Sequence, residues 1–215
     1  MQELIIRTLI RAVVLMTALP VHEAAHAWVA DKLGDPTGRY QGRITLNPFA
    51  HLDLIGSMLI LVTGFGWAKP VPVNAGNFRN PKRGMALTAA AGPLSNIAMA
   101  FILMIVYKIV VLFLPYTTAT FYVEFILQTM LTINLGLAVF NLLPIPPLDG
   151  SRLAALFLPE RTYFRIMQYE RYIFLFVILL LVTNVLDTPI NFLMGLLWQG
   201  LYWLTYFVDL LAMVL

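Results

Sequence analysis

The sequence HEAAH at residues 22–26 combines two imidazoles and a carboxylate in a spacing typical of a hydrolytic zinc site. A helix repeats every 3.6 residues, so His22 and His26 lie on one face and can bind the same metal ion. Glu23 follows the first histidine, where it can act as a general base. An apolar stretch that starts at Leu4 runs directly into this segment, so we expect the chemistry within or beside a bilayer. The alternative is a pair of buried histidines that only hydrogen-bond.

The composition is that of an integral membrane protein. Of the 215 residues, 60% are hydrophobic and 12% are charged, against about a quarter in a soluble domain. The mean hydropathy is +0.81. No cysteine is present, so a zinc ion must be bound by His and carboxylate groups. The net charge of +3 comes from basic residues that flank apolar segments and form no dense run, which favours a lipid bilayer and not a nucleic acid as partner.

Six apolar segments indicate an all-α polytopic membrane protein with about five transmembrane helices. A bilayer needs about 20 apolar residues per helix, so the chain is expected to form a single membrane domain over 1–215. We expect a catalytic core at 22–150, additional helices at 172–215 and a small β element near the site. The apolar segments are 4–28, 52–65, 85–114, 121–143, 172–186 and 190–215.

The short segment 52–65 decides whether HEAAH can share a metal with a later acid, Asp149. If each of the first four segments crosses the bilayer, the two motifs end on opposite sides. If 52–65 is re-entrant, they end on the same side. With about 14 residues and a Gly64-Phe65-Gly66 turn, the segment is too short to cross comfortably.

The distribution of Lys and Arg supports the re-entrant alternative. These residues are concentrated in the connections 32–83 and 144–172 and are missing from 115–120. Since positive connections usually lie in the cytoplasm, we expect a multi-pass protein of the cell membrane whose site is reached from the cytoplasmic side. Arg7 and Arg11 oppose this assignment, although one helix face could carry both, either outward or along a polar groove.

Asp149 is the candidate third metal ligand. A catalytic zinc site usually has three protein ligands, and an acid beside Gly150 after three prolines is costly at membrane depth unless it binds a cation or hydrogen-bond donors. The alternative is an N-cap of a helix at 150–158. The remaining histidine, His51, could be a ligand, a proton relay or, as we favour, a structural partner of Asp53.

The segment Ala68-Lys69-Pro70-Val71-Pro72-Val73-Asn74 could bind an extended substrate. Pro70 and Pro72 share one strand parity, so one edge lacks their donors, while Val71 and Val73 keep theirs on the other edge. That edge could accept an added strand. The alternative is a proline-rich turn that only limits aggregation.

Taken together, these motifs resemble the site-2 protease family of intramembrane zinc metalloproteases. The resemblance rests on HEAAH, the NP and HLD residues at 47–53, GWAKPVPVN at 66–74, AGPLSN at 91–96 and NLLPIPPLDG at 141–150. It implies one zinc ion per chain and the following site residues: His22, His26 and Asp149 as ligands, Glu23 as general base, Asn141 as a holder of the substrate carbonyl, and Asn96 as an accessory residue.

The resemblance also implies a function and two departures from larger relatives. The substrate would be a transmembrane protein or peptide, cleaved within or near its membrane segment. Residues 66–85 leave no room for a PDZ domain, and no CBS domain follows Leu215. A membrane metal transporter is the first alternative, but it should show several acids along a path. A catalytically inactive membrane scaffold is the second, and the presence of Glu23 argues against it. The sequence carries no signal for an oligomeric state.

Overall fold

Helices make up the fold in the computed structural model, which describes residues 2–63 and 66–214. Within these residues no β-strand forms, so the small β element is not confirmed. A π-helical segment, Val14–Ala18, joins the first two helices. The helices are α1 (Gln2–Val13), α2 (Leu19–Lys32), α3 (Thr37–Tyr40), α4 (Leu54–Thr63), α5 (Pro81–Phe113), α6 (Thr118–Leu142), α7 (Asp149–Ala154), α8 (Glu160–Met167), α9 (Glu170–Val182), α10 (Asp187–Leu204) and α11 (Tyr206–Val214).

Three helical stretches of the described residues are long and apolar enough to cross a bilayer. They are Thr8–Lys32, which runs from α1 through the π-helical segment into α2, and the helices Pro81–Phe113 and Thr118–Leu142. The C-terminal region adds a fourth only if Glu170–Val182 and Asp187–Val214 count as one span bent by 83°. The predicted C-terminal helices are therefore present, but the predicted number of about five spans is not confirmed. The protein is a multi-pass membrane protein.

The chain returns after α4 to a point close to where it entered this helix. The 10 residues of α4 extend only about 15 Å, half the thickness of a bilayer core. The carbonyl of His51, which precedes α4, accepts a hydrogen bond of 2.8 Å from the backbone amide of Lys69, which follows α4. Gly56 permits the close return of the chain, because a Cβ there would overlap Trp67. The predicted turn residues Gly64 and Phe65 lie outside the described residues.

Arg11 is bound at the C-terminal end of α4. Its Nη1 atom donates to the carbonyl oxygens of Leu61 at 2.9 Å and Val62 at 2.7 Å, which belong to the last turn of that helix. A cation at a helix C-terminus satisfies free carbonyls and opposes the helix dipole. Arg11 therefore binds carbonyl oxygens of the protein, whereas the side chain of Arg7 lies outside the described residues.

Helix α5 is the centre of the packing and contacts both α2 and α6. It begins at the N-cap Asn80, whose side chain accepts a 3.0 Å hydrogen bond from the Arg83 amide, and Pro81 fits the first helical position. Its first half is rich in alanine and glycine, so neighbouring backbones can approach closely. Its second half contributes to a cluster of larger apolar side chains: Ala100, Leu103, Met104, Leu131, Leu135 and Leu201.

Candidate metal centre

His22, His26 and Asp149 converge at the point where α2 meets the start of α7. The two histidine Nε2 atoms are 3.0 Å apart, and Asp149 Oδ2 lies 3.2 Å from each of them. Both imidazoles are buried and Asp149 is nearly so. These residues form the one cluster of three or more His, Asp or Glu side chains with metal-binding spacing within the part of the chain described. A transporter with several acids along a path is not favoured by this arrangement.

Each imidazole is oriented by a contact at its other nitrogen. His22 Nδ1 lies 2.6 Å from Asn96 Oδ1, and His26 Nδ1 lies 2.7 Å from the Thr88 carbonyl oxygen. Because the carbonyl oxygens can only accept, both Nδ1 atoms donate, and the Nε2 atoms are left for a metal. Asn96 is itself fixed, since its amide donates to Asn134 Oδ1 at 2.9 Å. This orientation is typical of ligands to a metal.

The three ligand atoms fit a zinc ion. Tetrahedral ligands about 2.0–2.1 Å from zinc lie roughly 3.3–3.4 Å apart, close to the observed spacing. Asp149 Oδ2 is buried and has no polar partner besides the imidazoles among the described residues. Gly92 of α5 makes the space, because a Cβ there would lie 2.6 Å from His22 Nε2 and closer still to His26 Nε2.

Asp149 does not cap α7. The N-cap position belongs to Leu148, which makes no side-chain capping hydrogen bond, and the Asp149 carboxylate faces the histidines. Gly150 permits this orientation, because a Cβ at that position would overlap the carbonyls of Leu142 and Leu143 at the end of α6. The close packing of α7 against α6 brings the acid to the histidines.

A cavity of about 950 Å³ opens over the three residues. Glu23 and Asn141 both line it, so the structure brings the predicted base and carbonyl holder to one space. The Asn141 amide donates to the Leu137 carbonyl at 3.0 Å within α6 and has a second hydrogen free to donate. Apolar side chains of α4 and α9, including Ile60 and Val177, form much of the opposite wall.

The segment 66–74 runs along the rim of this cavity and is fixed at two points. The first point is Lys69, whose backbone amide donates to the His51 carbonyl and whose carbonyl accepts a hydrogen bond from Arg43 Nη2. The second point is Asn74, whose backbone amide donates to Asp35 Oδ2 at 2.7 Å. Val71 and Val73 line the cavity, and their backbone groups have no hydrogen bond to any other described residue. Lys69 has the same strand parity as the two valines, so its amide belongs to the edge that was predicted to have unpaired donors. Since the Lys69 amide is paired with His51, that edge can accept an added strand only at Val71 and Val73.

Asp35 lies in the turn that follows α2, and its carboxylate is a buried anchor for the surrounding loops. It accepts from the side chains of Thr37 and Asn77 and from the amides of Thr37 and Asn74. Burial raises the pKa of its carboxyl, but these hydrogen bonds outweigh burial and hold the pKa below its usual value. Asp35 therefore fixes the far end of segment 66–74 as an ionised group.

Arg43 is a buried cation that the sequence analysis did not single out. Its guanidinium binds the Lys69 carbonyl, while Nε and Nη1 have no partner among the described residues. Burial lowers the pKa of Arg43, and the nearby Glu23 carboxylate opposes that change. An arginine stays protonated at neutral pH even so. Its charge therefore lies behind the rim of the cavity, within electrostatic range of Glu23.

His51 lies in the loop beneath the rim and outside the cluster of three candidate ligands. It is fully buried, and its Nε2 is 2.8 Å from the Thr45 carbonyl oxygen. The structure records no contact between His51 and Asp53 within the described residues; the Asp53 carboxylate instead accepts from the Gly56 amide at 2.8 Å. The geometry agrees with a structural role through Thr45 and Lys69, not through Asp53.

Three further residues that shape the site were not predicted. Asn134, a fully buried amide in an apolar helix, carried a signal in the sequence, because a polar side chain at membrane depth needs a partner. Gly92 carried a weaker one, as a glycine inside a helix. Thr88 acts through its backbone carbonyl, so its side chain gave no indication.

Comparison with known proteins agrees with this geometry. The pattern of peptidase family M50 matches residues 108–183. YwhC of Bacillus subtilis (strain 168), named as a zinc metalloprotease, is 42% identical over 177 residues, which cover 80% of this chain and 79% of YwhC. The chain belongs to peptidase family M50, the site-2 protease family. As an M50 member it is a membrane metalloprotease with zinc as its cofactor, in agreement with the sequence-based prediction.

Two further relatives are more distant. Rip2 of Mycolicibacterium smegmatis (strain ATCC 700084 / mc(2)155) is 26% identical over 80% of this chain and 66% of its own length. MJ0611 of Methanocaldococcus jannaschii is 33% identical over 61% of each chain. Both are also named as zinc metalloproteases. No solved structure matches the M50 chain.

Proposed function

We propose that this M50 protease hydrolyses peptide bonds within or near the transmembrane segments of membrane-protein substrates. The observation that supports this most is the cavity itself, in which His22, His26 and Asp149 face apolar side chains of α4 and α9. A soluble substrate would not require such an apolar wall. A transmembrane segment could enter it without exposing apolar surface to water.

His22, His26 and Asp149 are proposed as the zinc ligands. When bound, zinc lowers the pKa of a water molecule to near 7 and polarises a peptide carbonyl. Glu23 takes the proton from the attacking water and delivers it to the departing amine nitrogen, since it lines the same cavity beside the ligands. Asn141 donates the free hydrogen of its amide to the substrate carbonyl, where negative charge develops.

Segment 68–74 is proposed to hold the substrate in an extended form. A transmembrane helix hides its peptide bonds in internal hydrogen bonds, so it must be partly unwound before hydrolysis. The unpaired backbone groups of Val71 and Val73 can replace those hydrogen bonds over a short stretch. Two hydrogen bonds keep this edge in position: one from the Arg43 side chain to the Lys69 carbonyl, and one from the Asn74 amide to the Asp35 carboxylate.

The site is proposed to face the cytoplasm. Two contacts support this proposal. The chain returns from α4 to His51 through the Lys69 amide, and Lys82 Nζ donates to the Leu158 carbonyl at 2.9 Å, which joins the basic connections 32–83 and 144–172. Single cysteines at Asn80 and Pro159 should be labelled from the cytoplasmic side of intact cells, and one at Tyr116 from outside. Labelling of positions 80 and 159 from opposite sides would exclude this topology.

The decisive test of the function is Glu23→Gln, measured with purified protein and a transmembrane peptide. We expect near-stoichiometric zinc and a loss of cleavage by several orders of magnitude, because the base is removed while the ligands remain. Glu124→Gln, the same change in the N-terminal part of α6, is the matched control and should cleave like the parent. Cleavage retained in Glu23→Gln would exclude Glu23 as the base, and no cleavage by the parent would exclude the proposed function.

A further inference from the structure

Arg152 contributes a permanent positive charge to the cavity wall. It lies on α7, three residues after Asp149, and lines the same cavity as the metal cluster and Glu23. Among the described residues that line the cavity, it is the one Lys or Arg. The proposed hydrolysis does not use it.

The Arg152 guanidinium has no recorded partner. Residues three apart on a helix are neighbours, so Asp149 would be its natural counter-ion. Asp149 instead faces His22 and His26, and the structure records no ion pair or hydrogen bond for the Arg152 side chain among the described residues. A half-buried cation without a counter-ion is costly, and the cost is recovered if an anion binds beside it.

The other charges of the cavity do not supply that anion. When zinc is bound, the negative charges of Asp149 and Glu23 formally balance its two positive charges. Arg152 then remains as the net charge of a cavity whose lining is mainly apolar. A guanidinium presents paired N–H donors that match a carboxylate.

We propose that Arg152 is a specificity-determining residue that binds a carboxylate of the peptide held in the cavity. This inference rests on the proposed proteolytic function. The carboxylate has two sources with the same chemistry: an acidic side chain near the scissile bond, or the new C-terminal carboxylate formed by hydrolysis. In the first case Arg152 selects substrates, and in the second it retains the N-terminal product.

The first arm of the test compares peptides that differ in one residue close to the scissile bond, either Glu or Gln. If Arg152 selects an acidic side chain, kcat/KM of the parent should be roughly tenfold higher for the Glu peptide, and Arg152→Gln should remove the difference. Arg152→Glu should instead cleave a peptide with Lys at that position faster than the Gln peptide. Arg152→Lys should keep part of the parent's preference for the Glu peptide. Arg161→Gln, an exposed residue of α8 outside the cavity, is the matched control.

The second arm measures inhibition by the N-terminal product, synthesised with a free C-terminal carboxylate or as the amide. If Arg152 retains the product, the acid should inhibit the parent roughly tenfold more strongly than the amide, and Arg152→Gln should abolish that difference. A difference that Arg152→Gln removes supports the proposal and identifies the carboxylate by the arm in which it occurs, whereas a difference that persists in Arg152→Gln contradicts it.

Equal rates in the first arm together with equal inhibition in the second would overturn the proposal while leaving the protease function intact. Loss of zinc from Arg152→Gln, Arg152→Lys and Arg152→Glu alike would also overturn it, because Arg152 would then be needed for the metal site. An inactive parent would instead refute the underlying function.

Discussion

Helix α5 supports the histidines with its first half and the C-terminal helices with its second half, and the two halves use different chemistry. In the first half, Gly92 lets the imidazoles lie against the helix backbone, while the Thr88 carbonyl and the Asn96 amide fix their orientation. These contacts are short, directional and hidden from solvent. They hold both imidazoles in orientations that leave the Nε2 atoms for a metal.

The second half of α5 holds α10 and α11 by apolar packing and one buried ion pair. Leu103 and Met104 pack in the same cluster as Leu201. Lys108 binds the Asp209 carboxylate of α11, donates to the Tyr202 carbonyl at 3.0 Å and lies 3.7 Å from the centre of the Tyr202 ring. Such packing fixes whole helices and tolerates small shifts of side chains.

Because their contacts are separate, we expect that the metal site and the C-terminal attachment can fail independently. A change that moves a backbone in the first half of α5 should remove zinc with little effect on α10 and α11. A change at Lys108 should loosen the C-terminal helices with little effect on the metal. The following variants test this independence.

The largest effect is expected for Gly92→Ala. The new Cβ would lie 2.6 Å from His22 Nε2 and closer to His26 Nε2, a separation that neither group can tolerate without moving. We expect zinc content to fall below a tenth of the parent value and cleavage to disappear. Metal analysis and a transmembrane-peptide assay measure both quantities.

Gly195→Ala and Gly200→Ala in α10 are the matched controls. A Cβ at either position meets nothing within 4 Å, and alanine favours a helix by about 1 kcal/mol over glycine. Both variants should keep full zinc and unfold at the parent temperature or slightly above it. Full zinc in Gly92→Ala would show that the close approach of α2 and α5 is not required.

The next effect is expected for Lys108→Met, which leaves Asp209 buried without its cation. Breaking a buried ion pair typically costs about 3–5 kcal/mol, whereas replacing both partners by apolar groups is often neutral. The single variant should therefore expose α10 and α11 to protease, and Lys108→Met with Asp209→Leu should restore protection. Zinc content should stay at the parent level in both, and its loss would contradict the independence of the two halves.

Asn96→Ala should weaken zinc binding by about 10–100-fold, the usual effect of losing a partner that orients a ligand. His22 would remain a ligand but lose the acceptor at its Nδ1. Asn96→Asp keeps an acceptor oxygen and should retain most of the affinity, measured by competition with a chelator. If Asn96→Ala binds zinc as tightly as the parent, the contact to His22 does not orient the ring.

The three proposed ligands could be named from the sequence because each carries its own chemical signal, and the structure brings their side chains together. HEAAH gives two imidazoles on one helix face, and the charge distribution indicated that 52–65 returns to the side of Asp149. The supports were harder to predict, because Thr88 contributes a backbone atom and Lys108 meets Asp209 across 101 residues of chain. A small β element was expected from the Pro70 and Pro72 pattern, but the described backbone there pairs with loops and not with a strand.

The smallest effect concerns Asp35, which fixes the rim of the cavity and belongs to neither half of α5. Its pKa is lower in the folded protein than in the unfolded chain, so the stability it contributes is present above the unfolded pKa of about 4 and is lost as pH falls through the folded value. Asp35→Asn should lower the melting temperature of the metal-free protein at pH 7 by a few degrees, and the difference from the parent should shrink towards pH 3. Asp31→Asn, which removes only a surface ion pair with Arg39, should change little at either pH. A difference for Asp35→Asn that stays constant with pH would mean that its hydrogen bonds do not depend on the carboxylate charge, and the rim would then be fixed mainly by Arg43 at Lys69.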